Sequence, residues 1–113
     1  LMPRKISKQL IISFENKELR SICENESEAQ TKFGLNVAMK LKNRLSDLSA
    51  TNSVNELVAG SPSKIDDDLY RINLTENHFI LFSSNHTQTP LLESGEINWN
   101  EVSRIKILNI PNE

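Results

Sequence analysis

The segment Leu69–Ser83, with the sequence LYRINLTENHFILFS, constrains the fold more than any other part of the chain. Apolar and polar residues alternate from Tyr70 to Leu74, which is the pattern of a strand with one buried face. The run His78–Ser83 is apolar nearly throughout, as in a strand covered on both sides. Because a loop of three residues, Thr75–Asn77, separates the two runs, the segment predicts an antiparallel β-hairpin.

The register of this hairpin predicts what each of its faces carries. We expect Leu74 to pair with His78, and Asn77 to supply any positive φ that the loop needs. The core face then carries two cross-strand pairs: Ile72 with Ile80, and Tyr70 with Phe82. The opposite face, where any chemistry of the hairpin must reside, carries four side chains: Arg71, Asn73, Phe79 and Leu81.

The length of 113 residues predicts a single domain, 1–113, in which residues 1–8 form a flexible N-terminal tail. Hydrophobic residues make up 37% of the chain and charged residues 25%, which excludes disorder and membrane spans as the main class. No signal peptide is evident, and a single cysteine cannot form an internal disulfide. We therefore expect a cytoplasmic protein.

Charge is distributed unevenly along the chain. The net charge of −2 argues against a domain held to nucleic acid by bulk electrostatics. Residues 1–64 carry ten basic and seven acidic side chains, whereas residues 65–113 carry three and eight. The predicted helical half is thus mildly basic, and the predicted sheet half is acidic.

The remaining segments predict helices first and strands later. Gln9–Phe14 has the composition of a strand, and Asn16 can cap a short helix after it. A second helical stretch runs from Ser27 to Leu48, with Gly34 as a kink or a boundary. Four further predictions follow along the chain: a capping box at 53–56, an extended entry at Lys64-Ile65, a single turn at 98–101 and a last strand at 103–110.

This order predicts an α+β domain, in which helices cover one face of a small, curved, antiparallel-rich sheet. The run Asp66–Asp68 is expected to be a solvated acidic turn, because three consecutive carboxylates cannot converge on one ion. His78 and His86 lack further ligands for zinc, and Cys23 falls on the apolar side of its helix. No metal and no cofactor are therefore predicted.

Several stretches, in this order, resemble the HigB group of plasmid-maintenance killer toxins, within the RelE/ParE superfamily. They are ISFENKELRSICENESEAQ, KLKNRLSDLSA, NELVAGSP, LYRINLTENHFILF and GEINWNEVSRIKILNI. The resemblance covers about residues 10–110. It implies a RelE/ParE-like toxin domain, a toxin–antitoxin system and a cognate helix-turn-helix antitoxin. It further implies growth inhibition through ribosome-dependent mRNA cleavage as an mRNA interferase (an endoribonuclease), or gyrase poisoning in the ParE branch.

Groups that the resemblance implies are substituted at three places in this chain: the turn and loop at 63–68, the third strand and the C-terminus. Ser63 stands where relatives often place a histidine, and Asp66–Asp68 replace a basic loop. Phe79 stands where relatives carry an arginine in the third strand. The chain ends in Ile110-Pro111-Asn112-Glu113 where relatives commonly end in Asp-Tyr-His.

The candidate functional residues are the cations and the histidine that could take over these roles. The catalytic candidates are Arg71, Lys64 and His78, and the RNA-binding candidates are Arg104, Lys106, Lys42 and Arg44. Two hypotheses stay open. The chain is either a ribosome-dependent mRNA endonuclease, or a non-catalytic binding module that poisons gyrase or only binds its antitoxin.

Overall fold

The computed structural model describes residues 10–112, so the predicted tail 1–8 lies outside the described residues, as does Gln9 of the predicted first strand. Helices and strands follow one another as expected, with three helices between the first strand and the other four. Their bounds are β1 (Ile11–Phe14), α1 (Lys17–Glu24), α2 (Glu26–Phe33), α3 (Leu35–Ala50), a 3₁₀ turn (Val54–Glu56), β2 (Ser63–Asp66), β3 (Leu69–Asn73), β4 (Phe79–Ser84) and β5 (Arg104–Asn109).

The helices begin and end where polar side chains and one glycine satisfy their terminal N–H and C=O groups. Oδ1 of Asn16 accepts the N–H of Leu19 at 2.8 Å, as predicted, and Asn25 caps α2 in the same way. Gly34 ends α2 and precedes α3, with φ +91°. Glycine suits this position because an L residue rarely adopts such a backbone conformation. Gly34 is therefore the boundary between two helices.

The five strands form one open, mixed sheet in the order β1-β5-β4-β3-β2. The pairs β2–β3, β3–β4 and β4–β5 are antiparallel, whereas β1 is parallel to β5. The predicted hairpin register is confirmed: Tyr70 pairs with Phe82 and Ile72 with Ile80. The register shifts once between β4 and β5 and once between β2 and β3, and such bulges bend and twist the strands they interrupt.

The hairpin loop closes through a side chain. Asn77 does not supply a positive φ, because Ser61 is the one non-glycine residue with positive φ among residues 10–112. Oγ1 of Thr75 instead accepts the N–H groups of Asn77 and His78 at 3.2 and 3.1 Å. A hydroxyl that bonds the backbone two or three residues later stabilises a turn without a left-handed residue.

A single hydrophobic core lies between the helices and one face of the sheet. Each central strand contributes buried residues at every second position, and the helices contribute Leu19, Ile22, Val37, Ala38, Leu41 and Leu48. The helices therefore cover one face, which we call the helix face. The opposite face of the sheet, which carries Arg71, is called the open face below.

The predicted capping box does not form. Ser53–Glu56 makes a single 3₁₀ turn, and the N–H of Glu56 bonds the backbone oxygen of Ser53 at 3.1 Å. The Ser53 hydroxyl is buried without a hydrogen-bond partner. The tighter 3₁₀ pattern takes the donor that the serine side chain would have accepted in an α-helix.

The acidic run 66–68 is more structural than a solvated turn. Asp67 accepts the N–H of Ile97 at 3.2 Å, and Asp68 accepts the N–H of Ser84 at 2.8 Å. Trp99 also donates its indole N–H to the backbone oxygen of Asp67 at 2.9 Å. These bonds join the β2–β3 turn to the end of β4 and to the long loop that leads into β5.

Candidate functional site

Arg71 lies in the middle of β3, on the open face of the sheet. In the register, Ser63 of β2 and Leu81 of β4 are its neighbours on either side, and Leu81 pairs in turn with Asn109 of β5. Its own neighbours in β3 are buried in the core, so strand alternation turns the Arg71 side chain to the open face. The structure thus places this candidate where the sequence predicts it.

Phe79 and Asn73, which belong to the same hairpin, both contact the guanidinium of Arg71. Its Cζ lies 3.9 Å from the centroid of the Phe79 ring. Its Nε donates a hydrogen bond to Oδ1 of Asn73 at 3.0 Å. Phe79 is 8% exposed, yet it is not part of the core that the helices cover. An arginine held against a ring and an amide in this way is suited to bind an oxyanion.

Lys64 does not lie with Arg71. It pairs with Tyr70, whose ring belongs to the core, so its side chain projects from the helix face of the sheet edge. Its Nζ lies 3.6 Å from Oδ1 of Asp67. Burial raises the pKa of Tyr70, and the nearby Lys64 ammonium partly offsets this rise. Lys64 therefore contacts the tyrosine and the acidic turn.

His78 also faces the helices. Its ring makes an edge contact with Phe33, at 5.7 Å between ring centroids, and Phe33 packs against the core from the end of α2. Its Nδ1 lies 3.4 Å from Oγ1 of Thr75. These contacts agree with a half-buried packing histidine and place its ring away from Arg71.

Two of the four RNA-binding candidates lie on the open face. Arg104 and Lys106 alternate with buried isoleucines in β5, so both side chains point away from the core. Arg104 is exposed, whereas Lys106 is half-buried and forms an ion pair with Glu15, 3.1 Å from its Oε1. Both cations are thus available to the same surface as Arg71.

The other two candidates, Lys42 and Arg44, belong to the helical layer. Lys42 pairs with Glu26 of α2 at 3.0 Å, and Arg44 pairs with Asp47 one turn later in α3. The Arg44 side chain also packs close to Gly60, below the turn that precedes β2. The seven candidates therefore do not form one surface, because α3 covers the face of the sheet opposite Arg71.

Phe79 and Asn73 contact Arg71, a role that the sequence pattern alone does not assign to either residue. The sequence pattern places both on the face of Arg71, and this shared face is the signal that could have identified them. Phe79 was considered as a substitution for an expected arginine. The structure shows that it supports an arginine from the neighbouring strand.

Residues 10–112 were also compared with the requirements of a metal site, a membrane span and a nucleophilic cysteine. They contain no cluster of three or more histidine, cysteine, aspartate or glutamate side chains that could hold a metal ion. Within the same range, no helix is long and apolar enough to cross a membrane. Burial, with a smaller effect of Glu24, raises the pKa of Cys23 to about 12, so its thiol is protonated near neutral pH and is a poor nucleophile.

No protein-family model and no curated protein matches the sequence, so similarity to known proteins is found in the three-dimensional structure. The structure is similar to a YoeB-YefM complex from Staphylococcus aureus, with a TM-score of 0.55, 12% identity, and coverage of 93% of this chain and 98% of that one. It is also similar to a YoeB/ParE toxin from Agrobacterium tumefaciens, with a TM-score of 0.57, 9% identity, and coverage of 92% and 99%.

The chain has the fold of these toxins. The α+β architecture that the sequence predicts is therefore confirmed, over nearly the full length of both solved structures. Because the sequence identities are only 9% and 12%, this structural similarity establishes the fold alone. The HigB group, the target and the activity stay predictions.

Proposed function

We propose that this chain is the toxin of a toxin–antitoxin pair. Its fold matches two toxin structures along more than nine-tenths of each chain, and one of these structures is a YoeB-YefM complex. By analogy, a cognate antitoxin protein, of the helix-turn-helix type that the HigB resemblance implies, binds this chain and silences it in the cytoplasm.

The proposed activity is ribosome-dependent cleavage of mRNA, with Arg71 as the residue that contacts the scissile phosphate. The observation that carries this proposal is the fixed guanidinium of Arg71 on the open face. The 2′-oxygen would bond to phosphorus as its proton passes to water, which gives a pentacovalent phosphate with additional negative charge that positioned N–H donors stabilise. The bond from phosphorus to the 5′-oxygen would then break, which leaves a 2′,3′-cyclic phosphate and a 5′-hydroxyl that takes its proton from water. Arg104 and Lys106 lie on the same face and would contact the RNA backbone, with Lys106 exchanging its bond to Glu15 for a phosphate.

A second candidate is a toxin that acts by binding without cleavage. It is favoured by the positions of Lys64 and His78, two catalytic candidates that contact the acidic turn and the helices and lie away from Arg71. General acid–base catalysis requires such groups within hydrogen-bond reach of the substrate. A gyrase poison, or a degenerate toxin that only binds its antitoxin, would not require them.

Expression without an antitoxin tests these candidates. The mRNA nuclease should arrest growth and cleave ribosome-bound mRNA in a purified translation system. Arg71→Ala should reduce cleavage by about 10²–10³-fold, which is the usual effect of removing one donor to a developing oxyanion. Lys40→Ala, which removes an exposed cation of α3 that is not among the seven candidates, is the matched control and should retain full cleavage.

The other outcomes separate the alternatives. Growth arrest with intact mRNA would refute the nuclease proposal and support a toxin that acts by binding. The accumulation of DNA breaks would then identify gyrase as its target. If the wild-type chain leaves growth unchanged, while a protein encoded by the neighbouring gene binds it, the degenerate module is correct.

A further inference from the structure

We infer that Asn73 and Phe79 are positioning residues, which fix the Arg71 guanidinium in one orientation and so preorganise it to receive an oxyanion. An arginine on a sheet surface ordinarily samples many rotamers, and ordering it opposes the binding of any ligand. Two contacts from separate strands reduce this freedom before a ligand arrives. The inference deepens the proposed function and rests on it for its catalytic consequence.

Phe79 holds the guanidinium against its ring. The Cζ atom lies over the ring, 3.9 Å from its centroid, which is close for a cation–π contact. Because Phe79 is 8% exposed and lies at the start of β4, its ring is itself held in place. The helix-covered core does not include Phe79, so packing against the helices does not explain its burial.

Asn73 fixes the direction in which the Nε–H group of the guanidinium points. The bond from Arg71 Nε to Asn73 Oδ1, at 3.0 Å, determines the direction of the two terminal nitrogens, which carry the other four N–H donors. Asn73 pairs with Phe79 in the hairpin register, and its backbone N–H bonds the oxygen of Gly60 at 2.8 Å. Both supports are thereby fixed to the backbone.

This arrangement explains why a lysine would not replace Arg71. An ammonium group has no Nε–H for Asn73 and no planar surface for Phe79, so it would retain the charge and lose the orientation. Arg71→Lys should therefore impair the toxin nearly as much as Arg71→Ala does. If Arg71 contributed only charge, Arg71→Lys would retain most of the activity.

The direct test is nuclear magnetic resonance of the Arg71 Nε–H group in the full chain without a ligand. In the wild type this signal should exchange slowly with water and have a high order parameter. Asn73→Leu should speed up exchange by about tenfold, because the hydrogen bond is lost. Asn73→Asp retains an acceptor at the same position and should restore slow exchange.

The aromatic support is tested by a second pair of variants. Phe79→Leu should lower the order parameter of Arg71, whereas Phe79→Tyr should retain it. Asn43→Leu on α3, and Phe14→Leu beneath Arg20, are matched controls that should leave the Arg71 signal unchanged. Circular dichroism identifies any variant that fails to fold, in which case the Asn73 pair decides the result.

The inference is overturned if Arg71 has the same exchange rate and order parameter in the wild type, Asn73→Leu and Phe79→Leu. In the growth assay, Asn73→Leu should weaken the toxin in the wild-type background and have no further effect beside Arg71→Ala. If the wild type does not arrest growth, the proposed function fails, and the resonance measurement still decides whether Asn73 and Phe79 position Arg71.

Discussion

Replacing Gly60, whose backbone oxygen accepts the N–H of Asn73, by alanine should destabilise the fold. This glycine has φ +82°, and a Cβ at its position would lie 2.4 Å from Cγ2 of Ile72 and 3.0 Å from the backbone oxygen of Asn73. Ile72 is fully buried, so its side chain cannot move into solvent. Alanine at position 60 is therefore disfavoured both by the backbone conformation and by the lack of space.

These two effects give the size of the change. A left-handed conformation costs an L residue about 1–2 kcal/mol, and forcing a methyl group into a packed core costs about 1–3 kcal/mol. Gly60→Ala should thus lower the free energy of unfolding by about 2–5 kcal/mol, a large part of the 5–15 kcal/mol that is usual for a domain.

Gly95→Ala is the matched control for the backbone term. Gly95 has φ +95°, and no atom lies within 4 Å of a Cβ built there. Only the conformational cost of about 1–2 kcal/mol should therefore apply. Urea unfolding of both variants, followed by circular dichroism, measures the difference between them. Equal losses of stability would refute the argument that Gly60 is required by its contact with β3.

Three other predictions concern side chains outside the open face. The pKa of Cys23 is about 12 instead of 9.0, so the contribution of its neutral thiol to the free energy of unfolding is complete below pH 9 and is lost as the pH rises to 12; Cys23→Ala should lack this pH dependence. Iodoacetamide at pH 8 should alkylate the folded chain at least about a hundredfold more slowly than the unfolded chain. His86→Ala should cost about 1–3 kcal/mol in urea unfolding, because Nε2 of His86 accepts the N–H groups of Ser103 and Arg104 at 3.0 and 3.3 Å; His86→Gln, which retains an acceptor, should lose less. Asp68→Ala should cost about 1 kcal/mol by removing the acceptor of the Ser84 N–H, and a change within about 0.5 kcal/mol would show that Asp68 is merely solvated.

Much of the secondary structure could be predicted from local sequence patterns. Strand alternation around Tyr70 and Ile72 gave the register of the hairpin, because a shift by one residue would expose its whole apolar face. Asn16 marked the start of α1, and Gly34 marked a boundary, since both positions have chemical requirements that few residue types meet.

The local pattern was less informative where non-local contacts decide the outcome. The sequence did not show that Asp68 would bond Ser84 in another strand, or that the Ser53 backbone oxygen would replace its hydroxyl as a cap. In the candidate site, alternation placed Arg71 on the open face, but it did not show which neighbours would hold the guanidinium.

The sequence by itself determined that helices cover one face of a hairpin-centred sheet and that Arg71 lies on the other. Only the tertiary structure decided that Lys64 lies away from Arg71 and that Phe79 and Asn73 contact it, whereas the predicted hairpin register already placed His78 on the core face. The physical reason is that period-two alternation fixes the face of a residue within its own strand. Strand pairing, the bulge in β2 and the packing of the helices then determine which side chains meet.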